Sequence, residues 1–227
     1  VGERVWVYEA TLMRNTGCAA EYTIVPSRNA VVLPDNTSFG EGAGLGVPAL
    51  TAHNCVLGTG PVSGKTVLVT GGAGAGGFYA LQFARLHGAR VITTVSREEQ
   101  AEVARLAGAD FIINRRTEDV AARVDEITGA KPNRGIDLIV DVAFGANLPL
   151  TLDVLKTGGI VATYAADENP NPTIPVWALI GLNATLRFVL VYRMGDAAHD
   201  AAIAEVSNLM REGKLVHHVG RLLPLDE

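Results

Sequence analysis

The sequence of 227 residues is 48% apolar and 19% charged, enough to bury the core of one large domain or two small ones. A net charge of −5 supplies no basic stripe to neutralise phosphates, which argues against a dedicated nucleic-acid binder. With only Cys18 and Cys55 there is neither a disulfide framework nor a thiolate metal cluster, which points to a reducing, cytoplasmic compartment.

Residues 1–8 lack a basic stretch followed by an apolar core, so they do not read as a signal peptide. The chain opens without Met and in what reads as mid-strand, as a fragment would. Short strands are expected at 5–8 and 19–25, with a turn around 15–17, and Pro26, Pro34 and Pro48 punctuate the stretch after them. This opening part reads as β-rich but is too short to close a barrel of its own. From Thr66 onward, β-branched runs alternate with amphipathic segments. Residues 66–70 (TVLVT) form a continuous apolar run of the kind buried on both faces of a parallel sheet, and 91–95, 111–113, 136–141, 160–163 and 186–192 repeat it. Between them a helix over 78–87 stops at Gly88. Ser96 with Glu99 forms a capping box for a helix ending at Gly108, and Thr117 is placed to cap one ending near Gly129. The apolar stretch 173–192 contains Pro175, Asn183 and Arg187. Spanning a bilayer would cost about 2.5–3.5 kcal/mol for the arginine alone, so it reads as interior α/β material. A helix over 197–212 and a strand over 217–222 close the chain. The alternation implies right-handed βαβ crossovers and therefore an α/β fold with a doubly wound parallel sheet, with domain boundaries near residues 50 and 193.

Residues 67–78 read VLVTGGAGAGGF. Gly71, Gly74 and Gly77 make GxxGxxG, and Gly72, Gly74 and Gly77 make GxGxxG. Glycine suits this chemistry because the turn demands unusual φ values and the backbone must approach a pyrophosphate. The last glycine lets the helix pack on the strand. Exposed N–H groups and the helix dipole then favour an anion. Between a buried strand and a helix, the triplet reads as a dinucleotide site rather than a plain glycine-rich turn. Ser63-Gly64-Lys65-Thr66 resembles the end of a P-loop, but Thr59 replaces its first glycine and the segment precedes the strand. A methyltransferase loop would want a carboxylate where Ser96 stands.

In NAD sites an Asp or Glu roughly 20 residues past the glycines binds the ribose 2′-hydroxyl. Here the strand ends in Ser96-Arg97. A hydroxyl and a guanidinium would bind a 2′-phosphate through charge-assisted bonds of about 1.5–3 kcal/mol each, favouring NADPH over NADH. The competing reading makes Ser96 a helix cap and Arg97 a solvated charge. Arg115 and Arg116 either close the same side of the pocket or are surface charges. The five histidines show no metal spacing, and neither a Tyr-x-x-x-Lys pair nor a Gly-x-Ser-x-Gly elbow occurs.

Gly2-Glu-Arg-Val, Ala20-Glu-Tyr, Gly46-Val-Pro-Ala-Leu-Thr-Ala, the glycine loop with Gln82, and Ala107-Gly-Ala-Asp together resemble the medium-chain dehydrogenase/reductase superfamily. Within it the chain is most similar to the zinc-independent, zeta-crystallin-like quinone oxidoreductases. Asn114-Arg-Arg, Asp141 and Gly158-Gly159 sit where that family keeps its post-strand motifs. The resemblance implies a Rossmann sheet inserted in a GroES-like domain. Residues 1–49 would be part of the catalytic domain, 50–193 the NADPH-binding domain and 194–227 the return to the catalytic domain. On that template both ends of the barrel are missing from the chain. Gly44 stands where zinc-dependent members keep a cysteine, implying a zinc-free enzyme. Gln100 replaces a lysine common in NADPH-binding members, leaving Arg97 as the main cation, and Arg115 replaces a His or Tyr. By the same resemblance Thr51 lies near the nicotinamide half and Ala75 and Gly76 offer amides to the pyrophosphate, as part of the loop from Gly74 to Gly77. Tyr164 lines the nicotinamide side, unless it is a strand-end aromatic, and the strand from Leu186 to Tyr192 pairs two sheets into a homodimer.

These likenesses imply NADPH-dependent reduction of a quinone or another α,β-unsaturated carbonyl, a small-molecule substrate, with no catalytic acid assignable. An enoyl reductase would share every motif. A non-catalytic NADPH-binding protein, crystallin-like or RNA-binding through a patch at Arg115, Arg116 and Arg134, is the reading from another class.

Overall fold

The computed structural model describes residues 2–15, 17–129, 135–166 and 169–224. The chain divides into two compact units, one made of residues 1–50 with 191–227 and the other of residues 51–190.

In the first unit, β1 (Val5–Val7) pairs antiparallel with β2 (Ala30–Val32), in the register Val5 to Val32. The helix α1 (Phe39–Ala43) starts at a complete capping box, in which Ser38 Oγ accepts from the Glu41 amide and the Glu41 carboxylate from the Ser38 amide. The helix α2 (Gly46–Leu57) comes next and carries the chain into the second unit.

That unit is a six-stranded sheet. In chain order it contains β3 (Thr66–Val69), α3 (Ala75–Leu86), β4 (Arg90–Val95), α4 (Glu98–Leu106), β5 (Phe111–Asn114), α5 (Val120–Thr128), β6 (Ile136–Asp141), α6 (Phe144–Val154), β7 (Leu155–Thr163), α7 (Val176–Gly181) and β8 (Thr185–Phe188). The spatial order is β5-β4-β3-β6-β7-β8 and every pairing is parallel. This is the strand order of the Rossmann fold, as the alternation of runs implied. Leu68, Ile92, Ile113, Ile139 and Val161 from five strands pack with Phe144, Leu148 and Val154 of α6. Strands covered on both faces have little use for polar side chains, which explains their continuous apolar runs. The first unit closes with α8 (Asp196–Arg211), whose buried His199 stacks on Tyr8 and lies 3.3 Å from the Glu9 carboxylate.

Several local expectations fail for identifiable reasons. Residues 19–25 form no strand; β1 pairs with β2 instead, and Tyr22 and Ile24 are both 89% exposed. The turn expected at 15–17 includes Thr16, outside the described residues. Arg97, not Ser96, is the N-cap of α4; Ser96 Oγ accepts instead from Arg115 Nε at 2.8 Å, and the Ser96 amide is given to Gln100 Oε1 at 2.8 Å. Asp119, not Thr117, caps α5, its carboxylate accepting from the Ala122 amide at 3.1 Å. The strand expected over 186–192 stops at Phe188, since its partner β7 ends at Thr163 and no ladder continues. A 3-10 turn occupies Val191–Arg193. Residues 217–222 find no partner strand among the described residues. Among those residues, too, no helix is long and apolar enough to cross a membrane.

Candidate functional site

The chain leaves β3 toward β4 and β5 on one side and returns through β6 to β8 on the other. The carboxyl ends of β3 and β6 therefore flank a topological switch point, where doubly wound sheets open a crevice. A cleft of about 250 Å³ lies there, with Gly71 and Gly74 on its floor, Ser96 and Arg115 on one side and Val142 and Asn147 on the other.

The glycine turn is shaped by its neighbours. Gly71 has φ +65°, which side chains rarely adopt. A Cβ at Gly77 would stand 2.5 Å from the Gly71 carbonyl oxygen and 2.9 Å from Gly72 Cα, so α3 packs directly on the turn. The N-cap, Gly74, offers no side-chain acceptor. The first-turn amides of Ala75, Gly76 and Gly77 are therefore left for an anion.

On the β4 side, Arg115 Nε donates to Ser96 Oγ at 2.8 Å, and Ser96 and Gln100 line the cleft with it. Arg97 is exposed and is not part of the lining, and Arg116 is exposed with its amide given to Asn114 Oδ1. Arg134 lies outside the described residues. No Asp or Glu among the described residues lines the cleft. Uncapped amides, a guanidinium, a hydroxyl and apolar walls fit the phosphates and flat rings of a dinucleotide. Among the described residues, no three His, Cys, Asp or Glu side chains gather as a metal site.

Sequence reasoning missed how the β6 wall is held. Asp141 is fully buried; its Oδ1 accepts from the Ala143 amide at 2.6 Å and from Asn147 Nδ2 at 3.0 Å, while Oδ2 has no hydrogen-bond partner. Burial raises its pKa above the usual carboxylate range, against the lowering effect of those hydrogen bonds. A carboxyl whose folded pKa is raised contributes stability only at low pH, and loses it as pH climbs from the ordinary value through the raised one. Asp141→Asn should therefore be more stable than the parent at pH 7, by on the order of 1 kcal/mol or a few degrees in Tm. The difference should close in acid. Thermal melts between pH 3 and 8 check this, and a variant less stable at pH 7 would refute it.

Tyr164 lines a separate apolar recess of about 250 Å³ with Phe144, Phe188 and Leu190. Its ring lies 3.1–3.2 Å from where a Gly76 Cβ would stand, which explains glycine there. Burial, with smaller effects of Cys55 and Asp141, pushes the phenol pKa upward. Thr51 is buried in α2 and is not among the residues that line the cleft. Burial likewise pushes the Cys55 thiol up to about 12, which leaves it unreactive.

Sheet order and glycine turn define the Rossmann class of dinucleotide-binding folds. The profile of the zinc-binding dehydrogenase family matches residues 76–211, and the chain belongs to that family, within the medium-chain dehydrogenase/reductase superfamily. It is 30% identical to human quinone oxidoreductase over 178 residues, covering 76% of this chain and 52% of that protein. It is 31% identical to a Burkholderia 2-haloacrylate reductase over 234 residues, covering 100% of this chain and 68% of that one. A mycobacterial protein solved in complex with NADPH superposes with a TM-score of 0.82 at 29% identity, covering 92% of this chain and 65% of the other. The chain thus spans about half the length of the human relative.

Proposed function

We propose that this chain is the cofactor-binding part of an NADPH-dependent reductase whose acceptor is a quinone or another α,β-unsaturated carbonyl. The observation that carries the reading is the cleft in which the uncapped α3 N-terminus and the Arg115–Ser96 pair occur with no carboxylate among the described lining residues. The amides of Ala75, Gly76 and Gly77 hold the pyrophosphate, and Arg115 with Ser96 and Gln100 holds the 2′-phosphate. Thr51 and Tyr164 lie toward the nicotinamide. NADPH, bound there, supplies a hydride to the acceptor, which needs hydrogen-bond donors or water, not zinc, to stabilise its developing charge. The names of the relatives, quinone oxidoreductase and 2-haloacrylate reductase, favour this acceptor class. They leave enoyl thioesters as the rival substrates, separable by turnover assays in the full-length protein.

In the same reading residues 1–50 with 191–227 belong to a GroES-like catalytic domain. The free edge of β8 pairs with that of a second copy, and the protein works in a cytoplasmic setting that keeps Cys18 and Cys55 as thiols. Calorimetric titration should give NADPH binding at least tenfold tighter than NADH. Equal or tighter NADH binding would remove the 2′-phosphate assignment, and binding of neither would remove the cofactor reading.

A further inference from the structure

Two neighbouring threonines on β4 hold the glycine turn. Successive side chains of a strand point to opposite faces, yet the hydroxyls of both Thr93 and Thr94 reach the turn after β3. Thr93 is fully buried. Its Oγ1 donates to the Val69 carbonyl at 2.7 Å and accepts from the Gly72 amide at 3.1 Å, so its one proton is committed and a lone pair is aimed at the turn. Thr94 Oγ1 accepts from the Gly71 amide at 3.2 Å and lines the cleft. Gly72 is also the position where a Cβ would run into Thr93 Oγ1. Hydroxyls in an apolar sheet interior cost free energy unless they are bonded, and valine would pack there at no such cost. Here each hydroxyl is spent on one amide of the turn, Thr93 on Gly72 and Thr94 on Gly71.

We propose that Thr93 and Thr94 are positioning residues for the dinucleotide. They occupy the Gly71 and Gly72 amides and fix the turn so that a pyrophosphate meets only the amides at the start of α3. This rests on the cofactor reading above. It predicts a loss common to NADPH and NADH, because the pyrophosphate is shared, and so a signature unlike that of a 2′-phosphate contact.

The test uses Thr94→Val and Thr93→Val, near-isosteres without the hydroxyl, alongside Thr94→Ser and Thr93→Ser. In the 227-residue chain, Thr94→Val should weaken NADPH and NADH alike by about tenfold, since the turn loses the bond that holds the half-buried Gly71 amide at the cleft. The NADPH-to-NADH ratio should be unchanged, and Thr94→Ser should restore binding. Amide hydrogen exchange should quicken at Gly71 in Thr94→Val and at Gly72 in Thr93→Val. Thr93→Val should also lower Tm, because the Val69 carbonyl and the Gly72 amide both lose the Thr93 hydroxyl. Wild-type affinity in Thr94→Val together with unchanged Gly71 exchange would overturn the proposal while leaving the cofactor reading intact. A fall in Tm with unaltered affinity of the folded protein would reduce the pair to structural support and overturn it as well. Failure of the parent chain to bind either nucleotide would instead sink the cofactor reading itself, and the positioning role with it.

Discussion

Arg115→Ala should weaken NADPH binding by roughly tenfold to a hundredfold and leave NADH binding within about twofold, because a charge-assisted hydrogen bond contributes about 1.5–3 kcal/mol. Its guanidinium is already oriented by the 2.8 Å bond from Nε to Ser96 Oγ, leaving the terminal nitrogens for a phosphate at the cleft wall. Arg97 is the natural control. It is exposed at the start of α4 and outside the lining, so Arg97→Ala should change either affinity by no more than about threefold, as screened surface charges do. Parallel titrations of both variants with both nucleotides decide the matter. A larger effect at Arg97 would move the 2′-phosphate to the outer face of α4.

Gly77→Ala should abolish measurable binding of both nucleotides and lower Tm by several degrees. Its new methyl would stand 2.5 Å from the Gly71 carbonyl oxygen and 2.9 Å from Gly72 Cα. Both are backbone atoms of the turn itself, so relief requires moving α3 as a body. Overpacking of this kind costs about 1–3 kcal/mol, and the retreating helix carries its first-turn amides away from the anion. Gly76→Ala is the milder comparison: its methyl meets the Tyr164 ring at 3.1–3.2 Å, and a side chain can give way where a carbonyl cannot. Calorimetry with thermal melts checks both, and Gly77→Ala binding like the parent would show that the close helix–turn packing does not matter.

Much of the sheet was legible along the chain. Strands β3 to β7 of the second unit announce themselves as short β-branched runs, because burial on both faces leaves little room for polar alternation, whereas β8 is exposed at both ends. The glycines at 71, 74 and 77 declare the turn, since a positive φ at Gly71 and the close approach at Gly77 are demands that only that residue type meets without strain. What misled was local capping chemistry. Ser96 and Thr117 both fit a cap pattern, yet Ser96 Oγ accepts from Arg115 Nε, and Asp119 caps α5 through the Ala122 amide. The strand expected at 19–25 had the right residues and no partner, for β1 pairs with β2.

Periodicity and constraints within a few positions are enough to specify the parallel α/β sheet, the glycine turn and the types of residue available to bind a nucleotide. Which of them meet depends on how the strands are ordered in the sheet. Ser96 reaches Arg115, Gly72 reaches Thr93, and Asp141 gathers Ala143 and Asn147 beneath the opposite wall. Ser96 with Arg115 and Gly72 with Thr93 lie about twenty positions apart and become neighbours through parallel pairing of β3, β4 and β5. No local rule reaches that far, so the assignment of Arg115 to the cleft and Arg97 to its outside had to wait for the order of the strands.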